Sequence, residues 1–152
     1  MYGDYLGEDE KRKYYSFPSP DQLALAKPED LREFARVGFR DKRIVEASKL
    51  IASGQIDISK IQEMDLEDAR KELQILPGVG PKVADCILLF AFDRKESFPV
   101  DVWIKRVMEE LYLKEVTPKS KISMRGREVF GKNAGFANQY LFYYGRENKL
   151  GK

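Results

Sequence analysis

The chain has 152 residues, 43% of them apolar and 34% charged, with a formal net charge of +2. That length suits one domain with an ordinary core, and no apolar run is long enough to span a membrane. There is no histidine and only one cysteine, Cys86, which excludes histidine acid–base catalysis, a Ser-His-Asp triad, histidine-ligated metals, an intramolecular disulfide, a four-cysteine iron–sulfur cluster and a structural zinc site.

Proton transfer near neutral pH is left to Lys, Asp, Glu, Tyr or water. With a net charge this small, a nucleic-acid surface has to be local. The start of the chain lacks the basic end and apolar centre of a signal peptide, so a cytoplasmic location is the default expectation.

Residues 1–15 hold four tyrosines and the charged stretch from Glu8 to Lys13, and read as an irregular or weakly β lead-in. Ser19-Pro20-Asp21 is a helix start before residues 22–26. Pro28 restarts a helix through Leu31, Phe34 and Ala35, which Gly38 ends. Asp41 is a candidate cap for the next helix, whose Ile44, Val45, Ala47, Ser48 and Ile51 recur at helical spacing up to Gly54. Short helices are predicted at about 57–63 and 66–76, then a turn, then a helix over about 81–92. Asp101 opens a helix from Val102 to Leu111, and helices over 120–131 and 134–148 complete an all-α chain. The predicted organisation is a lead-in over 1–15 and one helical region over 16–152, with a helical hairpin at about 66–92.

The turn inside that hairpin is the informative segment. Leu76-Pro77-Gly78-Val79-Gly80 precedes Pro81-Lys82-Val83-Ala84. The glycines Gly78 and Gly80 permit backbone angles costly to other residues and let a phosphate approach the amides. Pro81 suits the first helical position, and a helix N-terminus attracts an anion. An ordinary tight turn between helices is the plainer reading of Pro-Gly-x-Gly alone; the flanking Leu76 and Pro-Lys-x-Ala tip it toward DNA binding. Lys82 lies in the first helical turn, where the dipole disfavours an ammonium, and desolvation would depress its pKa further. A neutral amine there can attack an electrophilic carbon and form a Schiff base. Spacing alone favours the plainer reading, a lysine that only grips phosphate.

Cys86 and Phe90 follow Lys82 at i+4 and i+8 on one helix face. They are either core residues or the edge of a flat pocket suited to a purine. Val83, Ala84, Ile87 and Ala91 are expected on the core-directed side. Asp101, 19 residues after Lys82, reads as a helix N-cap that can also present its charge to a developing cation. Arg40, Lys42 and Arg43 form a basic cluster, either a phosphate contact or a solvated helix start.

Leu-Pro-Gly-Val-Gly-Pro-Lys-Val-Ala-Asp-Cys-Ile at 76–87, followed by Phe-Pro-Val-Asp-Val-Trp at 98–103, closely resembles the 8-oxoguanine DNA glycosylase/AP lyases of the helix-hairpin-helix glycosylase superfamily, in their bacterial form. The likeness runs from about Tyr14, through Phe17-Pro18 and Gly38-Phe39-Arg40, to Gly135-Phe136-Ala137-Asn138-Gln139-Tyr140-Leu141-Phe142. It implies base excision on double-stranded DNA bearing a damaged base or an abasic site, with Lys82 attacking C1′ and forming an imine. Asp101 would stabilise positive charge on the sugar. Cys86 and Phe142 would sandwich the flipped base, with Phe90 at the border of the pocket.

Gly78, Val79, Gly80 and Trp103 would lie at the DNA backbone, and the carbonyls of Gln74, Leu76 and Val79 would hold a structural cation. No catalytic cofactor is implied. Asn138 stands where the family carries a glutamine that bonds the base's Watson–Crick edge, with Gln139 immediately after it. That shorter amide fixes the lesion less firmly than the chemistry. Known members also carry a long portion ahead of this segment, so the expectation is a C-terminal part of the family fold, with a second polypeptide or self-association supplying the rest. The alternatives are a non-catalytic hairpin DNA-binding module and a glycosylase for another damaged base.

Overall fold

The computed structural model describes residues 2–150. As expected, the fold is helical, with nine α-helices and one two-stranded sheet among the described residues. The chain forms two compact units. One holds the residues up to Glu63 together with Ile75–Gly78, and the other holds Met64–Gln74 and the residues from Val79 onward.

In the first unit the tyrosine-rich lead-in is more ordered than irregular. Strands β1 (Tyr5–Glu8) and β2 (Lys13–Tyr15) pair antiparallel, Tyr5 opposite Tyr15 and Glu8 opposite Lys13. Asp9 makes the turn by accepting the N–H groups of Lys11 and Arg12 and the Tyr14 hydroxyl, a side-chain-nucleated turn that strand periodicity cannot announce. Helix α1 (Pro20–Ala24) starts at a Ser19–Gln22 capping box, and α2 (Pro28–Glu33) at Pro28. Tyr2 donates to Asp30 at 2.7 Å, tying the lead-in to α2.

A 3₁₀ turn, Gly38–Arg40, leads into α3 (Asp41–Ala52). Asp41 does not cap it. It is the first helical residue, buried, and paired with Arg32, whose Nε donates at 2.8 Å. Ala26, Leu31 and Val45 form one buried cluster of this unit, and the short α4 (Ile58–Ile61) is capped by Asp57.

The second unit begins with α5 (Leu66–Leu73), whose N-cap Asp65 accepts the N–H groups of Glu67 and Asp68. Helices α6 (Pro81–Ala91), α7 (Val102–Met108), α8 (Lys119–Phe130) and α9 (Ala134–Glu147) follow. A π turn, Glu109–Leu113, extends α7 to Lys114. Phe98, Val100, Ile104, Met108, Ile122 and Ala134 make one buried cluster. Gly126 of α8 is required there, because a Cβ would lie 2.5 Å from the Phe98 ring.

Helix α6 turns a different face inward from the one its apolar residues predict. Ala84, Asp85, Leu88 and Leu89 are buried, while Val83 and Ala91 are exposed. The displacement follows from Asp85, which periodicity places outside and an ion pair draws in. Its Oδ1 lies 2.7 Å from Arg70 Nε in a contact too bent for a full hydrogen bond, and Oδ2 accepts from Arg70 Nη2 at 3.3 Å.

Candidate active site

The α6 N-terminus is built without a capping side chain. Gly80 is the N-cap and Pro81 the first helical residue, and the N–H groups of Lys82 and Val83 meet no acceptor among the described residues. Those free donors and the helix dipole make this end attractive to an anion. Gly78 in the preceding turn has φ +83°, and a Cβ there would lie 2.6 Å from the Arg43 side chain. The position needs glycine for its backbone angle, while the exposed Arg43 side chain is free to give way.

Lys82 is exposed at the start of α6. Along the same helix face come Cys86, half-buried, and Phe90, 66% exposed. Phe90 is therefore not a core residue. Lys82, Cys86 and Phe90 line a pocket of about 190 Å³ with Asp101, Asn138 and Phe142. The local fold brings the two expected catalytic side chains and all four expected base-pocket residues together. Phe142 carries the Arg146 guanidinium over its ring at 5.6 Å.

Asp101 is the N-cap of α7, and its Oδ1 accepts the Ile104 N–H at 2.8 Å. Oδ2 accepts no hydrogen bond among the described residues, so one oxygen holds the helix while the other stays available in the pocket. Asn138 is only 2% exposed, and its Nδ2 donates to the Pro99 carbonyl at 2.9 Å. The next amide, Gln139, is exposed and also lines the pocket.

The other expected contacts lie outside this pocket. Trp103 is half-buried beneath Arg106, whose guanidinium is 5.2 Å from the ring. Arg40 and Arg43 flank the exposed Phe39 ring at 5.1 and 6.0 Å, and Lys42 is exposed beside them. Gly78 and Gly80 are exposed and Val79 half-buried. Gln74 is the C-cap of α5 and Leu76 is buried. The backbone carbonyls of Gln74, Leu76 and Val79 accept no hydrogen bond among the described residues.

Sequence reasoning missed two features. The Phe39 ring has two guanidiniums within 6.0 Å, although an aromatic residue among basic ones is itself a signal. A second cavity of about 490 Å³ shares Lys82 with Arg70, Asp85 and Lys119. Burial pushes the Asp85 carboxyl up to about 6, against the pull of Arg70. An acid inside the apolar run Val83–Leu89 was the available sign of a buried partner.

The family profile described as HhH-GPD superfamily base excision DNA repair protein matches residues 8–132. A probable N-glycosylase/DNA lyase of Methanothermobacter thermautotrophicus is 36% identical over 156 residues, covering 90% of this chain and 49% of that protein. The N-glycosylase/DNA lyase OGG1 of Arabidopsis thaliana is 30% identical, covering 92% of this chain and 41% of the relative. Among solved structures, the Clostridium acetobutylicum 8-oxoguanine glycosylase/lyase in complex with double-stranded DNA containing cytosine opposite 8-oxoguanine superposes with a TM-score of 0.84 at 40% identity. That match covers 97% of this chain and 50% of the other. The chain thus spans about half the length of the relatives it matches.

Proposed function

We propose that this chain, which belongs to the HhH-GPD superfamily of base excision DNA repair proteins, carries the reactive lysine and base pocket of an 8-oxoguanine DNA glycosylase with AP lyase activity. The observation that carries the reading is the single pocket shared by Lys82, Asp101, Cys86, Phe90 and Phe142. A flipped purine enters between Cys86 and Phe142, because its sugar carbon is out of reach while the base is stacked in the duplex.

The neutral Lys82 amine attacks C1′, the C1′–N9 bond breaks, and the base leaves with the bonding pair and takes up a proton. The free Asp101 oxygen faces the positive charge that develops on the sugar, an interaction stronger in the transition state than in the ground state. Sugar ring opening gives the lysine imine, and loss of a proton from C2′ expels the 3′ phosphate. Lys82 is exposed in the chain alone, so its amine is open to an incoming sugar, and it is the unprotonated amine that attacks.

The free amides at the α6 start, the turn at Gly78–Gly80, and Arg40, Lys42, Arg43 and Trp103 are assigned to the DNA backbone. The carbonyls of Gln74, Leu76 and Val79 are assigned to a hairpin cation that steadies a phosphate. A protein acting on chromosomal DNA works at the nucleoid. No helix among the described residues is long and apolar enough to cross a membrane.

Borohydride trapping tests the reading with two duplexes, one with 8-oxoguanine opposite cytosine and one with a pre-formed abasic site. A covalent protein–DNA adduct with both is expected. Binding to both without an adduct would return the chain to a non-catalytic DNA-binding hairpin. An adduct with the abasic duplex alone would leave the lyase and remove 8-oxoguanine as the base released.

A further inference from the structure

Two adjacent amides, Asn138 and Gln139, lie on α9 at the base pocket, and their surroundings differ sharply. Asn138 is 2% exposed and donates from Nδ2 to the Pro99 carbonyl at 2.9 Å. A carbonyl can only accept, so the amide nitrogen must face Pro99 and the orientation of the group is fixed by chemistry. Pro99 is itself buried. Turning the Asn138 amide toward a ligand would strand that carbonyl without a partner, a costly exchange in a dry environment.

The bond acts on Asp101. Pro99-Val100 lead directly into it, and Asp101 Oδ1 is held from the other side by the Ile104 N–H. Asn138 holds the segment upstream of the carboxylate and the α7 amide holds the carboxylate itself. Together they fix where the free Oδ2 lies, and placement of a charge aimed at a transition state is where rate is gained.

Gln139 is the opposite case. It is exposed, it lines the same pocket, and its one polar contact is a long 3.4 Å approach of Nε2 to Asn138 Oδ1. Its carbonyl oxygen is free to accept from the N1–H and amino groups of a guanine-type edge, and its amide can donate to O6. It is also one methylene longer than the buried amide beside it.

We infer that the two amides divide the work: Asn138 is a positioning residue that braces the Pro99–Asp101 segment, and Gln139 is the specificity-determining residue that reads the Watson–Crick edge of the base. The assignment rests on the glycosylase reading above and moves base recognition one residue along from the position that the family likeness implies. Asn138 keeps its bond to Pro99 in the free protein and does not release it to a base.

The test has two arms. In the first, the ¹⁵N-labelled 152-residue chain is titrated with 8-oxo-2′-deoxyguanosine while side-chain amide resonances are followed. The Gln139 NH₂ pair is expected to shift, while the Asn138 pair stays slow to exchange and unmoved. Shifts at Asn138, or at neither amide, overturn the reader's assignment, and this arm depends on no variant folding.

In the second arm, borohydride trapping is timed on an abasic duplex, which has no base to read. Asn138→Asp, which cannot donate to Pro99, is expected to trap at least tenfold more slowly, and Asn138→Gln, which can donate, to recover part of that rate. Equal rates for Asn138→Asp and the natural chain overturn the positioning role. If the natural chain traps nothing, the glycosylase–lyase reading fails, and the first arm alone decides whether Gln139 is the amide that meets a purine.

Discussion

Asp101 meets two demands with one carboxylate. Oδ1 caps α7 through the Ile104 N–H, while Oδ2 is free in the pocket that Lys82 lines. Asp101→Asn keeps a side-chain oxygen for the cap, and asparagine is as good an N-cap as aspartate, so the fold should survive. The charge is lost, and single-turnover release of 8-oxoguanine is expected to slow by at least tenfold, about 1.4 kcal/mol of barrier. Unchanged DNA affinity with unchanged rate would leave Asp101 with its cap alone. Gly78 is the other residue whose identity is forced. At φ +83° with Arg43 against it, Gly78→Ala should lower stability by about 1–2 kcal/mol from the backbone angle alone, read from the urea midpoint at constant slope.

The elements differ in how plainly the sequence announces them. Capping side chains at Ser19 and Asp101 and the prolines at 28 and 81 marked helix starts that the structure bears out within a residue, because caps and proline act locally. Which face an element buries depends on partners far along the chain. Asp41 reads as a cap and is instead an ion-pair partner of Arg32. Asp85, which the sequence reading leaves without a role, joins α6 to Arg70 of α5.

The pocket face of Lys82, Cys86 and Phe90 was legible from helical spacing, but its closure by Phe142 and Asn138 was legible only through the family likeness, and the place of Gln139 in it not at all, since tertiary contact has no period. The Asp85 pair has a measurable signature. Its carboxyl rises from 3.8 to about 6 on folding, so the folded state holds the proton more tightly. This contribution to stability is full below pH 3.8 and is lost as pH rises through about 6. The rise corresponds to about 3 kcal/mol. Asp85→Asn should flatten the pH dependence of the urea midpoint between pH 4 and 7, and an unaltered slope would place that titration elsewhere.

For the whole molecule, a net charge of +2 leaves the proposed DNA affinity to local cations. If Arg40, Lys42 and Arg43 each neutralise one phosphate, log K should fall with log salt at a slope of roughly −3, and Arg40→Ala should reduce that slope by about 1. An affinity insensitive to salt would take these residues off the DNA. The central claim is that Lys82 is the amine that joins DNA. It is tested most directly by trapping on an abasic duplex with borohydride, followed by proteolysis and mass spectrometry of the adduct. The expected result is a single modified peptide bearing the sugar on Lys82, and no adduct from Lys82→Gln, whose amide cannot form an imine. An adduct on any other lysine, or undiminished trapping by Lys82→Gln, would contradict it.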